Sequence, residues 1–204
     1  MRESKAKKRI LEVADRMFRE VGYANLNVNE IAREAEVSVG TLYYHFPDGK
    51  ISILMEIRTQ IAERYIKRAK ERLDPTLLQE TGSLEEGLGL LLETLIELHR
   101  GERFVLAAME SEVLSNLAAY DKVAESVEVG ELVESDSKPV TEALGALLTR
   151  HPGVGLTVEG RGARVNRVID VLIHKFVYAE ATFGTQNEFI EMMIRIIKAM
   201  LQPT

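Results

Sequence analysis

Apolar residues recur at three- and four-residue steps along almost the whole chain, and this spacing constrains the fold more than any other feature. The range Lys7–Val21 shows it, with apolar residues at Ile10, Ala14, Met17 and Phe18. Such spacing places the apolar side chains on one face of a helix. The alternation typical of strands is not evident, so the sequence predicts an all-α protein of about nine helices.

Helix ends are marked by capping residues and breakers. Gly22 ends the first helix, and Asn27 (with Glu30) and Ser38 can cap two short ones. A long helix runs from Lys50 to about Leu73, where Asp-Pro stops it. Ser83 and Thr185 open two capping boxes. The helix opened by Ser83 is expected to end at His99 or Arg100, and another is expected over Phe104–Leu117. A helix over Val123–Val133 is expected to be interrupted at Gly130, and the next to run from a loop and cap at Ser135–Ser137 to Thr149. The last two are expected over Arg164–Phe183 and Asn187–Leu201.

Composition excludes several classes of protein. The 204 residues contain no cysteine, which rules out disulfides and thiolate chemistry. No apolar run approaches the ~20 residues of a membrane span, so a cytoplasmic location is expected. Neither a nucleophile elbow nor a phosphate-binding glycine loop occurs. No acidic residue precedes His151 or His174 by three positions. We therefore expect no enzyme activity, no cofactor and no metal site.

The segment between Asn27 and Lys50 is the most informative. Its two short helices meet at Glu36-Val37-Ser38, which is the arrangement of a helix-turn-helix. Leu42 and Phe46 can be buried, which leaves polar and aromatic residues outward. Such a face suits a DNA major groove, and the capped helix starts can offer N–H groups to phosphates; packing against a neighbouring domain is the alternative. The candidate DNA-binding residues are Asn27, Ser38, Val39, Gly40, Thr41, Tyr43, Tyr44, His45 and Lys50.

These residues resemble the DNA-binding signature of the tetracycline-repressor (TetR) family. The similarity covers roughly residues 5–55 and rests on Gly22-Tyr23, Ile31-Ala32, Ala35, Val37-Ser38, Gly40 to Phe46, and Lys50. It implies a helix-turn-helix domain over residues 1–50 and a helical effector-binding and dimerisation domain over 51–204. It also implies that Lys50 and Tyr43–His45 contact phosphates and bases of an operator, and that the chain represses transcription.

Three positions depart from the family pattern. Glu36 stands where the family usually has glycine, and a left-handed backbone there costs about 1 kcal/mol or more for a residue with a side chain. Asn27 replaces the usual Thr or Ser cap, which the capping chemistry tolerates. Gly49 lengthens the turn before Lys50 by one residue.

The second domain is expected to hold a small effector. Its helices are rich in Leu, Ala, Ile and Met, which favours an apolar cavity and a hydrophobic ligand such as an acyl chain or an aromatic. Each candidate also has a structural explanation; His99, for instance, ends a helix and can interact with its dipole. The candidates are Tyr65, His99, Phe104, Met109, Glu110, Glu112, Asn116, Tyr120, His174, Phe176 and Tyr178.

The last two predicted helices carry wide apolar stripes. Either they pair with those of a second copy as a four-helix bundle, or they form intrachain core. A palindromic operator requires a dimer, so the family resemblance favours the first. The rival function is a helical ligand-binding or protein-interaction module without DNA binding. The stripes are Val165, Val168, Ile169, Leu172, Ile173, Phe176 and Val177, and Phe189, Ile190, Met193, Ile194, Ile197 and Leu201.

Charge divides unevenly along the chain. Residues 1–50 hold nine Lys or Arg against eight Asp or Glu, a net charge of +1, whereas residues 51–204 hold 17 against 24, a net charge of −7. The first positives cluster at Arg2, Lys5, Lys7, Lys8 and Arg9, where they can flank an operator backbone. The acidic total therefore does not exclude DNA binding, and we expect that binding to depend markedly on salt.

Overall fold

The computed structural model describes residues 4–73, 81–105, 107–108, 111, 127–152 (127–137 as backbone only), 158 and 161–202. Every regular element in this part of the chain is helical, which confirms the all-α prediction. Residues 103–105, 107–108 and 111 are also helical. The remaining elements are α1 (Lys5–Val21), a 3-10 turn (Tyr23–Asn25), α2 (Val28–Glu34), α3 (Val39–His45), α4 (Lys50–Arg72), α5 (Leu84–Arg100), α6 (Val127–Arg150), α7 (Gly162–Tyr178), α8 (Glu180–Phe183) and α9 (Gln186–Leu201).

The first of two compact units comprises the described residues within Met1–Glu63 and Phe104–Asp121. In it α1 packs against both α2 and α3. Phe18 of α1 and the predicted core residues Leu42 and Phe46 are at most 2% exposed and belong to one apolar cluster. Because this cluster holds α3 along one face, the opposite face of α3 is left to solvent.

The second unit comprises the described residues within Arg64–Arg103 and Lys122–Thr204. Here α5 packs against α6, α7 and α9, and α7 also packs against α6, α8 and α9. The Phe176 and Phe189 rings stack at 4.2 Å, nearly parallel. The apolar face of α5 lies at the centre of this packing, with Leu88, Leu91, Leu92, Leu95 and Ile96 all buried.

The apolar stripes expected to form a dimer face are mostly intrachain core. This corrects the assignment of those residues, because α7 and α9 turn their stripes toward α5 and toward each other. Val168, Leu172 and Ile194 are only partly covered. The buried members are Val165, Ile169, Ile173, Phe176, Val177, Phe189, Ile190, Met193, Ile197 and Leu201.

Two expected helix boundaries are wrong. The helix α6 runs without interruption through Gly130, through the expected loop at Ser135–Ser137 and through Pro139. Gly and Ser lower helix propensity by only about 1 kcal/mol or less per residue and need not end a helix. Pro139 removes one backbone N–H but does not end the helix. Conversely, the expected helix Arg164–Phe183 breaks at Ala179 (φ −135°, ψ 42°), and α8 follows as a separate turn. No helix among the described residues is long and apolar enough to cross a membrane.

Candidate nucleic-acid interface

Two capped helices form the predicted helix-turn-helix. The side-chain oxygen of Asn27 accepts a hydrogen bond from the N–H of Asn29 at 2.8 Å and caps α2. The Ser38 hydroxyl accepts one from the N–H of Thr41 at 3.0 Å and caps α3. Both caps satisfy backbone donors that a helix start leaves unpaired. They therefore fix where each short helix begins and which residues of α3 face outward.

The outward face of α3 is apolar and aromatic. Val39 is 40% exposed, Tyr43 48% and Tyr44 82%. Gly40 is exposed beside them, while Thr41 and His45 are half-buried. Exposed apolar and aromatic side chains that lie side by side mark an interaction site more than singly scattered ones do. We refer to Val39, Gly40, Thr41, Tyr43, Tyr44 and His45 as the α3 face.

The turn between the helices contains the left-handed residue that the sequence singled out. Glu36 has a φ of +53°, and no other described residue with a side chain has a positive φ. The N–H of Val37 donates to the carbonyl of Ala32 at 3.0 Å, which closes the turn. The Glu36 carboxylate pairs with the Arg9 guanidinium of α1. That pairing directs the acidic group toward α1.

Lys50 is already bonded within the unit. Its ammonium donates to the carbonyl of Tyr23 at 3.0 Å and lies 4.4 Å from the centre of the Tyr23 ring. The preceding Gly49 is buried with a φ of +61°, and a Cβ on it would lie 3.3 Å from the Tyr43 ring. The extra glycine thus lets the turn pass closely behind Tyr43. A lysine ammonium has three N–H groups, so Lys50 can still donate to another acceptor such as a phosphate.

The basic residues of α1 are largely engaged with acids. Lys7 pairs with Glu56 at 2.8 Å, and Arg9 pairs with Glu36. Lys8 lies 3.7 Å from Glu12 in an exposed pair that contributes little. Arg2 is outside the described residues. At the other end of the α3 face, the hydroxyl of Ser4 lies 3.3 Å from the Nε2 atom of His45, which ties the start of α1 to α3.

The expected effector residues divide into three groups. Tyr65, His99 and His174 come together in the second unit, where the His99 ring lies 4.8 Å from that of Tyr65 and 5.0 Å from that of His174. Phe176 is buried in the core, Tyr178 is half-buried with the Lys175 ammonium 5.4 Å from its ring, and Phe104 is 47% exposed in the first unit. Met109, Glu110, Glu112, Asn116 and Tyr120 lie outside the described residues.

Sequence reasoning missed one member of the first group, Asp170. Its carboxylate lies 3.4 Å from the Nε2 atom of His99 and 3.3 Å from that of His174. The search of the sequence required an acidic residue three positions before a histidine, and Asp170 precedes His174 by four. Four residues also bring two side chains onto one helix face, so a search that allowed this spacing would have found the pair.

The first unit matches a known family of regulators. Residues 10–57, from the middle of α1 into α4, match the family model described as bacterial regulatory proteins of the tetR family. This region of the chain is therefore similar to the DNA-binding part of TetR-family regulators. The match covers the helix-turn-helix that the resemblance identified. Members of this family are DNA-binding transcription factors and not enzymes, which supports the expectation of no enzyme activity.

Similarity to individual sequences is confined to the same region. The HTH-type transcriptional regulator LmrA of Bacillus subtilis is 36% identical over 63 residues, which are 31% of this chain and 33% of the relative. An HTH-type regulator of Staphylococcus aureus strain USA300 is 45% identical over 42 residues, 21% of this chain and 23% of the relative. The alignments thus span a third or less of these curated relatives.

Several solved structures resemble the chain over nearly its full length. Thermus thermophilus FadR, a TetR-family repressor in complex with lauroyl-CoA, superposes with a TM-score of 0.59 and 22% identity, covering 97% of this chain and 96% of FadR. Identity this low shows a shared fold. The fold agrees with an N-terminal helix-turn-helix followed by a helical C-terminal part.

Proposed function

We propose that the chain is a cytoplasmic, ligand-responsive repressor that binds a palindromic DNA operator as a homodimer and releases it when a small hydrophobic effector binds. The observation that carries the DNA-binding part is the α3 face. Its exposed valine and tyrosines lie on a helix whose opposite side is fixed in a core. Such a helix can enter a major groove without rearranging the domain that supports it.

The chemistry of the α3 face suits direct contact with bases. A valine methyl group such as that of Val39 can meet the methyl group of thymine, and hydroxyls such as those of Thr41 and Tyr43 can bond base edges. Tyr44 and His45 extend this surface toward the sugar-phosphate backbone. Asn27, Ser38 and Lys50 would supply phosphate contacts, which would set the register of this face on the duplex.

Dimerisation and effector binding are supported by the second unit. A palindromic operator presents two half-sites, which requires two copies of α3. The outward side of α7 retains apolar residues, including Val171 at 51% exposure, that a second copy can cover. The apolar character of α5 and the lauroyl-CoA found in the FadR complex favour a ligand with an acyl chain.

A pair of exposed valines gives a matched test of DNA binding. Val39 on the α3 face and Val21 at the end of α1 are 40% and 47% exposed, so neither valine-to-alanine change opens a core cavity. We expect Val39→Ala to weaken binding to DNA from upstream of this gene by about tenfold or more, the effect of one lost base contact. Tyr44→Ala should weaken it further, and Val21→Ala should leave it unchanged. Fluorescence anisotropy measures all three.

Two outcomes would contradict the proposal. If no upstream DNA binds in low salt, the rival function of a ligand-binding or protein-interaction module is favoured. If Val39→Ala and Val21→Ala behave alike, α3 is not the recognition helix.

The same titration repeated with lauroyl-CoA as the probe tests release, because a hydrophobic effector should raise the concentration of protein needed for half-saturation.

A further inference from the structure

A cluster of two histidines and one aspartate lies inside the second unit. His99 belongs to α5, and Asp170 and His174 belong to α7, one helical turn apart. Each offers one ligand atom, and the three atoms lie within 4.8 Å of one another. The same carboxylate oxygen of Asp170, Oδ1, faces the Nε2 atoms of both histidines. This is a convergent set of donors drawn from two packed helices.

The hydrogen bond made by the Nδ1 atom of His99 determines whether its other ring nitrogen, Nε2, can act as a metal ligand. The Nδ1 atom of His99 lies 2.6 Å from the carbonyl oxygen of Leu95, and a carbonyl only accepts, so Nδ1 carries the proton. In the neutral ring Nε2 then presents a lone pair toward the Asp170 oxygen, which repels it. A positive charge between Nε2 and Oδ1, either a second proton or a metal ion, removes that repulsion. A histidine oriented in this way by a backbone carbonyl is typical of metal ligands.

Two of the three distances between donors have the value expected around one small cation. Zinc binds histidine nitrogen and carboxylate oxygen at about 2.0–2.2 Å, so two ligands of a tetrahedral site lie about 3.3–3.5 Å apart. The two distances measured from Asp170 Oδ1, 3.4 Å to His99 and 3.3 Å to His174, have this value. They are longer than a good charge-assisted hydrogen bond of about 2.7–2.9 Å. These two distances therefore agree with the spacing of ligands around one ion, and all three ligand atoms lie within 4.8 Å of one another.

The cluster is also reachable from solvent. The side chain of His99 is 7% exposed, that of His174 30% and that of Asp170 45%. The Tyr65 ring packs edge-on against His99 on α5. An ion can enter past Asp170 while the buried His99 holds it from within.

We propose that His99, Asp170 and His174 bind a divalent transition-metal ion of the Zn²⁺ type. Two imidazoles and one carboxylate suit such ions better than Mg²⁺ or Ca²⁺, which prefer oxygen ligands. Three protein ligands leave a coordination position for water or for an exogenous ligand. This site goes beyond the proposed repressor function and does not depend on DNA binding.

Titration with Co²⁺ and Zn²⁺ tests the site on the full chain. We expect one Co²⁺ per chain, with the intense visible absorption of a four-coordinate ion, and displacement of that ion by Zn²⁺. The change Asp170→Asn keeps the shape of the side chain and removes its charge, and His174→Gln removes a ligand. Both positions are partly exposed, so both variants should fold. Each variant should bind Co²⁺ at least about 100-fold more weakly, because loss of a direct ligand costs more than the 10–100-fold loss expected for an outer-shell partner.

His151→Gln provides the matched control, since His151 is a histidine of the same unit outside the cluster. It should bind Co²⁺ like the unaltered chain. The proposal is overturned if no saturable one-to-one absorption appears, or if Asp170→Asn and His174→Gln titrate like His151→Gln. Circular dichroism establishes that each variant is folded. Binding of upstream DNA, measured separately, shows whether the repressor function stands when the metal site fails.

Discussion

Glu36 occupies a backbone conformation that glycine adopts more easily. Its φ of +53° costs a residue with a side chain about 1–2 kcal/mol. The ion pair with Arg9 offsets little of this cost, because both side chains are about half or more exposed and such pairs contribute about 0–1 kcal/mol. The backbone of the turn therefore remains strained at Glu36, while the carboxylate of this residue pairs with Arg9 of α1.

We expect Glu36→Gly to stabilise the first unit relative to Glu36→Gln by about 1 kcal/mol. Both variants lose the charge that pairs with Arg9, and only the glycine relieves the backbone. Urea unfolding at neutral pH gives the two free energies of unfolding. A glutamine variant as stable as the glycine variant would show that the left-handed backbone carries no cost here.

Individual residues were predictable where the local pattern determines their environment. Leu42 and Phe46 are buried and Tyr43 and Tyr44 are exposed, as the helical spacing indicated. The role of Lys50 was not predictable, because its partner Tyr23 is 27 residues away. The cluster around Asp170 was missed for the same reason, since His99 and Asp170 meet only through the packing of α5 on α7.

Helix starts were predicted more accurately than helix interiors. Asn27, Ser38, Ser83 and Thr185 all cap the helices they were expected to cap. A cap is a hydrogen bond between residues two or three positions apart, so both of its partners can be identified in a short stretch of sequence. The break at Ala179 has no Gly or Pro to mark it. It places the Phe183 ring 6.3 Å from Phe176 and 5.5 Å from Phe189, a tertiary contact that no local pattern encodes.

The capping box of α9 makes stability depend on pH. Glu188 accepts hydrogen bonds from the backbone N–H and then the hydroxyl of Thr185, and these hold the pKa of its carboxyl below the usual 4.5. Because the folded pKa is lowered, the stabilisation is fully present above about pH 4.5 and is lost as pH falls through the folded value. Lys198 lowers the pKa of the Glu85 carboxyl in the same direction.

We expect Glu188→Gln to flatten this dependence. Glutamine keeps an oxygen that can accept from Thr185 but has no proton to gain in this range. The free energy of unfolding of the unaltered chain should therefore fall more between pH 6 and pH 3.5 than that of the variant. Glu191→Gln on the outer face of α9 is the control and should behave like the unaltered chain. Equal losses for both variants would refute a role for the cap.

The two parts of the chain differ in charge, and the difference should govern affinity for DNA. The boundary at residue 50 remains a prediction, and the first compact unit extends to Glu63 and takes in Val105 and Ala108. All of the acidic excess lies beyond residue 50. In the first 50 residues, Lys7 and Arg9 are paired with acids. Few cations are then available for phosphates, so operator affinity should be modest at physiological salt.

The salt dependence of operator binding measures how many phosphates the protein neutralises. The logarithm of the binding constant falls with the logarithm of salt concentration, with a slope of about −0.9 per phosphate contact on duplex DNA. If Lys50 contacts a phosphate through an N–H not used by Tyr23, Lys50→Met should reduce the magnitude of that slope by about one. Lys138→Met, an exposed lysine of α6 in the second unit, should leave the slope unchanged. A slope near zero for the unaltered chain would contradict the division of charge, and an unchanged slope in Lys50→Met would restrict Lys50 to its bond with Tyr23.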